Sequence, residues 1–242
     1  PMILGSDKSK LSKRHGATSI IDYRDQGFLP QAFFNYLMLL GWSPGDNQEI
    51  LPIDEIIKRF DFSQIGKGGA VFDVKKLTWM NGQYIRRCSS EKLYTAVQSF
   101  LSDKSIEKLK NYTEETAKAI IYSVRDNLDR LTEINDYIEV YVWEESDYEA
   151  AIKDKEWSDQ EKQVVQAFSQ HIKDQNGSLD PSKVDDILNT IVTELEVGKG
   201  KVFKPVRVAC TGFQSGPNLS ECLSIFGTDR LSDRLGTLQQ TW

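Results

Sequence analysis

Histidine is nearly absent from this chain of 242 residues: His15 and His171 are the only two, and cysteine is limited to Cys88, Cys210 and Cys222. No two cysteines stand at C-x-x-C spacing. That excludes the common zinc patterns and a disulfide scaffold, and reads as plain thiols in a reducing compartment. Cys210 and Cys222 sit in apolar helical contexts, as core residues do. No run of 18 apolar residues occurs, which excludes a membrane-spanning helix. Internal repeats and low-complexity tracts are missing too.

What remains is ordinary for a globular protein, with 39% hydrophobic and 27% charged residues. The length accommodates two or three small domains. A net charge of −6 argues at first against a nucleic-acid partner. Its distribution is uneven. Residues 1–90 carry 12 basic and 9 acidic side chains, residues 91–196 carry 12 and 24, and residues 197–242 carry 6 and 3. Two basic ends thus bracket an acidic middle. A polyanion touched at both ends suits that pattern, since phosphate contacts need local positive charge. On charge alone, chance clustering accounts for it equally well.

Helical periodicity dominates the chain. Pro30 stands at a first helical position, with Phe33, Tyr36, Leu37 and Leu40 on one face and Gly41 as the stop. Pro52 opens a helix ending near Phe60, and Asp73 is read as the N-cap of the helix bearing Leu77, Met80, Tyr84 and Ile85. Lys67-Gly68-Gly69 is a basic turn. Ser89 or Ser90 caps a helix reaching Leu101, and Thr113 caps a long one carrying Ala117 through Leu128. A shorter helix follows from Thr132. Tyr137–Trp143 alternates partly and is read as a strand or, preferably, as a buried connection, because no partner strand is evident. Ser158 and Glu161 form a capping box for a helix ended by Asn176-Gly177. Asp180-Pro181 begins the next helix, Gly198–Lys201 reads as a short basic loop, and Val206–Cys210 as a turn ending at Gly212. Pro217 starts a helix that stops at Gly227, and Thr228 caps the last.

The segment Lys10-Leu11-Ser12-Lys13-Arg14-His15-Gly16 carries the most chemistry. Two flexible ammonium groups with a hydroxyl between them suit phosphate oxygens and charge moving onto a leaving phosphate. Read by itself, it is either that or a solvated basic face. The order K-L-S-K-R resembles the mobile KMSKS loop of class I aminoacyl-tRNA synthetases. Followed by His-Gly, it is similar to the bacterial-type glutamyl-tRNA synthetase family. The blocks Tyr23–Pro30, Asn35–Leu37, Leu39–Ser43, Ala70–Ile85 and Pro205–Gly212 resemble that family's blocks in order and spacing. The resemblance covers roughly the first 90 and last 45 residues. No His-Ile-Gly-His-like motif precedes the loop, so the chain is expected to be the C-terminal half of a longer synthetase, its Rossmann catalytic domain absent.

The resemblance implies roles. Lys10 and Lys13 become the catalytic and ATP-binding lysines, Lys13 foremost, with Ser12 and Arg14 as further ATP contacts; His15 is given no role. Arg207 becomes the anticodon reader, with Gly216, Pro217 and Leu219 as the adjoining tRNA-contacting turn. Read without the family, Pro217 is a helix starter and Leu219 a core residue. Asn81 is a candidate phosphate contact, and Trp79 with Tyr84 is either an aromatic RNA contact or core. A family arginine position falls on Asn127, and Arg125 is the candidate to replace it. No metal-ligating residue is assigned.

The expected fold is mainly α: a KMSKS loop and helical stem-contact domain over 1–88, and an all-α anticodon-binding bundle made of subdomains 89–143 and 144–242. The implied activity is ATP-dependent attachment of glutamate to tRNA through a glutamyl-adenylate, with ATP and Mg2+ serving the full-length enzyme and no cofactor bound to this part. Residues 1–242 alone are expected to be inactive. Implied partners are tRNA(Glu), with tRNA(Gln) as second candidate, and L-glutamate and ATP through the catalytic domain. A cytoplasmic monomer away from membranes is expected. The alternatives are a stand-alone, non-catalytic tRNA-binding module and an unrelated helical scaffold.

Overall fold

Short polar side chains set where the helices of this chain begin. In the computed structural model, which describes every residue except Lys13, His15, Ala17, Thr18, Asp154, Asn176 and Gly177, Ser19, Asp73, Ser89, Ser102, Thr113, Ser158, Asp180 and Asn218 each accept a hydrogen bond from a backbone N–H in the first turn of the helix that follows. Each such cap contributes about 1 kcal/mol. The expected Asn176-Gly177 stop lies outside the described residues, and the helix ahead of it ends at Lys173.

The chain divides into two compact units, residues 1–101 with 128–134, and residues 102–127 with 135–242. The first unit holds a two-stranded parallel sheet, β1 (Ile3–Leu4) and β2 (Ala70–Val71), in the register Ile3 to Ala70 and Leu4 to Val71. Parallel strands need a long crossover. Here it contains α1 (Ile20–Asp25), α2 (Pro30–Leu39) and α3 (Ile53–Arg59). Then follow α4 (Val74–Arg86) and α5 (Ser90–Val97). Tyr23, Phe28, Tyr36, Phe72, Leu77 and Met80 form the main core, and Trp42, Leu51 and Ile56 a smaller one. Burying each such side chain stabilises the unit by roughly 1.5–3 kcal/mol.

Residues 128–134 return to this first unit and close it. Leu131 N–H donates to the Gly27 carbonyl at 3.0 Å. A Cβ on Gly27 would stand 2.7 Å from Thr132 N, and Gly27 has φ +84°, so only glycine fits this close approach. The cuts expected at 88 and 143 therefore differ from the division by compactness: α5 packs against the Leu131–Glu133 turn, and 128–134 belong with it.

The second unit is all helix among its described residues: α6 (Asp103–Leu109), α7 (Glu114–Ser123), most of α8 (Ile134–Val142), α9 (Glu145–Lys153), α10 (Asp159–Lys173), α11 (Pro181–Glu194), α12 (Lys199–Thr211) and α13 (Leu219–Gln239). Helices α10 to α13 pack on one another through Phe168, Ile172, Leu188, Ile191, Val202, Val206, Leu223 and Phe226. Tyr137–Val142 is neither strand nor connection but part of α8, which Trp143 follows. Ile134, Ile138 and Tyr141 recur at helical spacing and are all buried. The Thr113-capped helix stops at Ser123, short of Leu128. Lys199–Lys201 and Val206–Cys210 belong to one helix, α12, with Gly198 as its N-cap. Pro205 and the two glycines hid it, because each lowers helix propensity locally while the buried face overrides them. Gly227, at φ 72° and ψ 169°, breaks α13 where a stop was expected. The starter is Asn218, one residue past Pro217.

Candidate functional site

The basic loop is pinned at its base. Lys10 bridges Leu4 in antiparallel pairing, and Leu11 N–H donates to the Ile3 carbonyl at 3.0 Å. The Leu11 side chain packs against the Tyr23–Phe72 core. Alternation along an extended segment turns Lys10 the other way, and it is exposed. The turn ahead is shaped by Asp7, whose carboxylate accepts from the Ser9 N–H at 2.9 Å and from its hydroxyl at 3.0 Å. Arg14 is exposed and its Nε lies 3.4 Å from Ser12 Oγ, so the hydroxyl and the guanidinium share one spot. Lys13 and His15 lie outside the described residues.

The second site grows from the end of α12. Gly212 closes that helix in the left-handed conformation at φ 78°. Thr211 donates to the Arg207 carbonyl at 2.7 Å and accepts from the Phe213 N–H at 3.0 Å. The Phe213 ring stacks on Trp143 with centroids 4.1 Å apart. The chain then passes Arg207: a Cβ on Gly216 would be 3.5 Å from its Nη1. That nitrogen is buried and has no hydrogen-bond partner among the described residues. Burial lowers the Arg207 guanidinium from its ordinary range, against the opposing pull of Cys222 and Tyr141. An arginine so placed is a donor fork held beside a turn.

Arg207, Gly216, Pro217 and Leu219 thus come together, and Arg125 and Asn127 join them. Asn127 Nδ2 donates to the Gly216 carbonyl at 3.4 Å. Arg125 Nη1 donates to Glu221 Oε2 at 3.2 Å and to the Tyr122 carbonyl at 2.9 Å, and its guanidinium sits 4.1 Å from the Tyr122 ring centre. Pro217 and Leu219 are buried, so in this conformation they underpin the turn rather than offering open platforms. Arg125 is likewise spent on holding the first turn of α13 through Glu221.

One expectation for α4 needs correction, and for Tyr84 the core alternative holds. Asn81 is fully buried and its bonding capacity is used inside the protein. Its Oδ1 accepts from the Leu29 N–H at 2.8 Å, and its Nδ2 donates to the Asp129 and Gly27 carbonyls at 2.7 and 3.3 Å. It is a tie between segments, with nothing left for a phosphate. Tyr84 is bound to the Leu51 carbonyl at 2.6 Å, and burial pushes its hydroxyl up to about 12. Trp79 alone of that pair is open, at 45% exposure. The sequence reading missed Thr211 and the Asn127 tie. An Asn218-x-x-Glu221 capping pattern was the available signal for where this turn ends.

A class emerges from a helical bundle that ends an arginine-bearing helix at an open glycine turn, with a basic loop far ahead of it in sequence. The family model described as "Anticodon binding domain" matches residues 92–238, and the one described as "tRNA synthetases class I (E and Q), catalytic domain" matches residues 1–79. The chain belongs to the anticodon-binding domain family of class I tRNA synthetases. Among its curated relatives, glutamate–tRNA ligase 2 of Caldanaerobacter subterraneus subsp. tengcongensis is 36% identical over 97% of this chain and 48% of the relative. The glutamate–tRNA ligase of Moorella thermoacetica is 34% identical with the same shares covered. A crystal structure of a glutamate tRNA ligase from Elizabethkingia meningosepticum in complex with its amino acid matches with a TM-score of 0.71 at 25% identity, over 100% of this chain and 51% of that one. The chain spans about half the length of the curated relatives it matches.

Proposed function

We propose that this chain supplies the KMSKS-type loop and the tRNA-contacting part of a glutamate–tRNA ligase. Stem contact is assigned to 1–88, and anticodon binding to 89–143 and 144–242, a functional division distinct from the compact units. The observation that carries the reading is the buried, unpartnered Arg207 Nη1 beside Gly216, at the turn where the family resemblance expects the anticodon. A guanidinium in that setting offers donors to a base edge or a phosphate.

The reaction is glutamate activation followed by transfer. A carboxylate oxygen of glutamate attacks the α-phosphorus of ATP, the bond to the β-phosphate bridging oxygen breaks, and pyrophosphate leaves. The 2′- or 3′-hydroxyl of the tRNA's terminal ribose then displaces AMP from the glutamyl-adenylate. Lys10 and Lys13, with Ser12 and Arg14, hold the triphosphate and offset the charge that builds on the leaving group. The loop's donor set is cationic, which fits phosphate oxygens and not a metal ion, so Mg2+ would be carried by the nucleotide and supply further charge neutralisation there. Arg207 and Gly216 form the anticodon contact, with Pro217, Leu219, Asn127 and Arg125 holding the turn. No described helix is long and apolar enough to cross a membrane. A cytoplasmic monomer acting on tRNA(Glu), and on tRNA(Gln) as second candidate, completes the proposal.

Aminoacylation of tRNA(Glu) and tRNA(Gln) transcripts by the full-length protein is the test, because residues 1–242 alone are expected to bind tRNA without charging it. Glutamylation of either supports the reading and fixes the partner. Salt-dependent tRNA binding without any charging favours a stand-alone tRNA-binding module. Absence of both rejects the reading.

A further inference from the structure

Helix α12 carries more positive charge than Arg207. Lys201, Lys204 and Arg207 follow one another at intervals of three residues. Residues three apart are surface neighbours about 5–6 Å apart at Cβ, so the three cations form a ridge that winds about 120° around the helix from Lys201 to Arg207. Both lysines are exposed, and neither ammonium group has a hydrogen bond or ion pair among the described residues. Several other lysines of the second unit are engaged: Lys108 with Glu144, Lys118 with Glu114, Lys155 with Glu161 and Lys183 with Asp180. Lys201 and Lys204 are thus two unpaired cations one helical turn apart in an otherwise acidic region.

The ridge opens onto a crevice of about 470 Å³ lined by Lys201, Lys204, Gly198, Gly200, Ser158 and Glu161. Glu161 is its acidic member, and it is already engaged by Lys155 at 2.8 Å and by the Ser158 N–H at 3.0 Å. A Cβ at Gly198 or Gly200 would meet nothing within 4 Å, and neither has a positive φ. Packing and backbone conformation therefore do not call for glycine there. Bare backbone leaves room for an approaching chain.

We propose that α12 is a phosphate track: Lys201 and Lys204 hold the sugar-phosphate backbone of the same RNA strand whose anticodon loop meets Arg207. The track rests on the anticodon reading above and extends it from the turn to the opposite end of the helix. Its partner chemistry is the phosphodiester, which carries no base identity. The lysines therefore set affinity and register, and Arg207 sets sequence preference.

Filter-binding titrations of tRNA(Glu) transcript across several salt concentrations test it, using the protein carrying Lys201→Ala, Lys204→Ala, both, or Arg207→Ala, with Lys173→Ala as a charge-matched control on α10. Each track lysine is expected to lower the slope of log K against log salt by about 0.7–0.9, and the double variant by about twice that. The ratio of cognate to anticodon-swapped binding stays unchanged in the lysine variants. Lys204→Glu is expected to weaken binding further than Lys204→Ala, and circular dichroism melts confirm that each variant is folded. A double variant with the wild-type slope, beside an Arg207→Ala that weakens binding, overturns the track and leaves the anticodon reading standing. A slope that falls equally for Lys173→Ala also overturns it, because the effect is then one of net charge. Wild-type protein that does not bind tRNA overturns both.

Discussion

The Arg234 guanidinium, only 2% exposed, grips the Glu145 carboxylate at two points, Nε to Oε2 at 2.9 Å and Nη2 to Oε1 at 2.8 Å. Its Nη1 donates to the Cys210 carbonyl at 2.7 Å, so α9, α12 and α13 are joined through one side chain. Arg230 adds a second guanidinium to the same carboxylate at 3.1 Å.

That pairing predicts an acid limb in the stability of the protein. Burial pushes the Glu145 carboxyl up, but Arg234 and Arg230 outweigh it and hold it below its ordinary 4.5. A carboxyl depressed in the folded state contributes stability above its unfolded value and loses it as pH falls through the folded one. Urea midpoints of wild type and Glu145→Gln should therefore differ most at pH 7, and the gap should close on acidification below about pH 4.5. At neutral pH the loss should be about 1 kcal/mol, because the Glu145 carboxylate is half exposed and solvent screens the pair. A gap that is constant with pH contradicts the role of the ion pair.

Asn81→Ala should cost about 2–3 kcal/mol, because it strands the buried Leu29 N–H and leaves the Asp129 carbonyl without its donor. Denaturant titration reads that directly. The salt slope of tRNA binding by the folded variant should match wild type. A slope lower by one would restore Asn81 as a phosphate contact.

In the full-length protein, Lys13→Ala should lower ATP–pyrophosphate exchange by ~10²-fold, the scale of one lost preorganised contact to transition-state charge. Lys10→Ala should lower it less. Glutamate affinity should change little in either. Exchange at the wild-type rate in both variants would remove the loop from the active site.

Arg207→Ala should weaken tRNA(Glu) binding by ~1–3 kcal/mol and relax discrimination at one anticodon position if the guanidinium meets a base edge. If it meets only phosphate, weakening should be even across tRNAs and the salt slope should fall by about one. Binding unchanged in both respects would return Arg207 to a structural role.

The sequence was legible where one physical rule acts alone. Ser158 with Glu161, Asp73 and Asp180 cap the helices they were expected to cap, because a cap is a local bond. Local rules failed where tertiary burial overrode them. Tyr137–Val142 alternates like a strand, yet Ile134, Ile138 and Tyr141 needed a helix to reach the core together. Gly198–Lys201 reads as a loop and Val206–Cys210 as a turn, yet buried Val202 and Val206 hold both stretches along α12. The site followed the same division. Arg207 was visible in its segment, but the Asn127–Gly216 bond joins residues 89 positions apart, and no local pattern announces it. Asn81 looked like a surface polar residue, because its partners Gly27, Leu29 and Asp129 are brought to it only by the fold.

The return of residues 128–134 to the first unit has a consequence for biosynthesis. Gly27 has no Leu131 N–H, and Asn81 no Asp129 carbonyl, until the chain has grown past residue 131. The N-terminal unit cannot finish folding in order of synthesis. It waits, with a polar gap at Asn81, while helices α6 and α7 of its neighbour are already being made. A break in the chain anywhere between 102 and 127 would leave that gap to be closed by a separate piece.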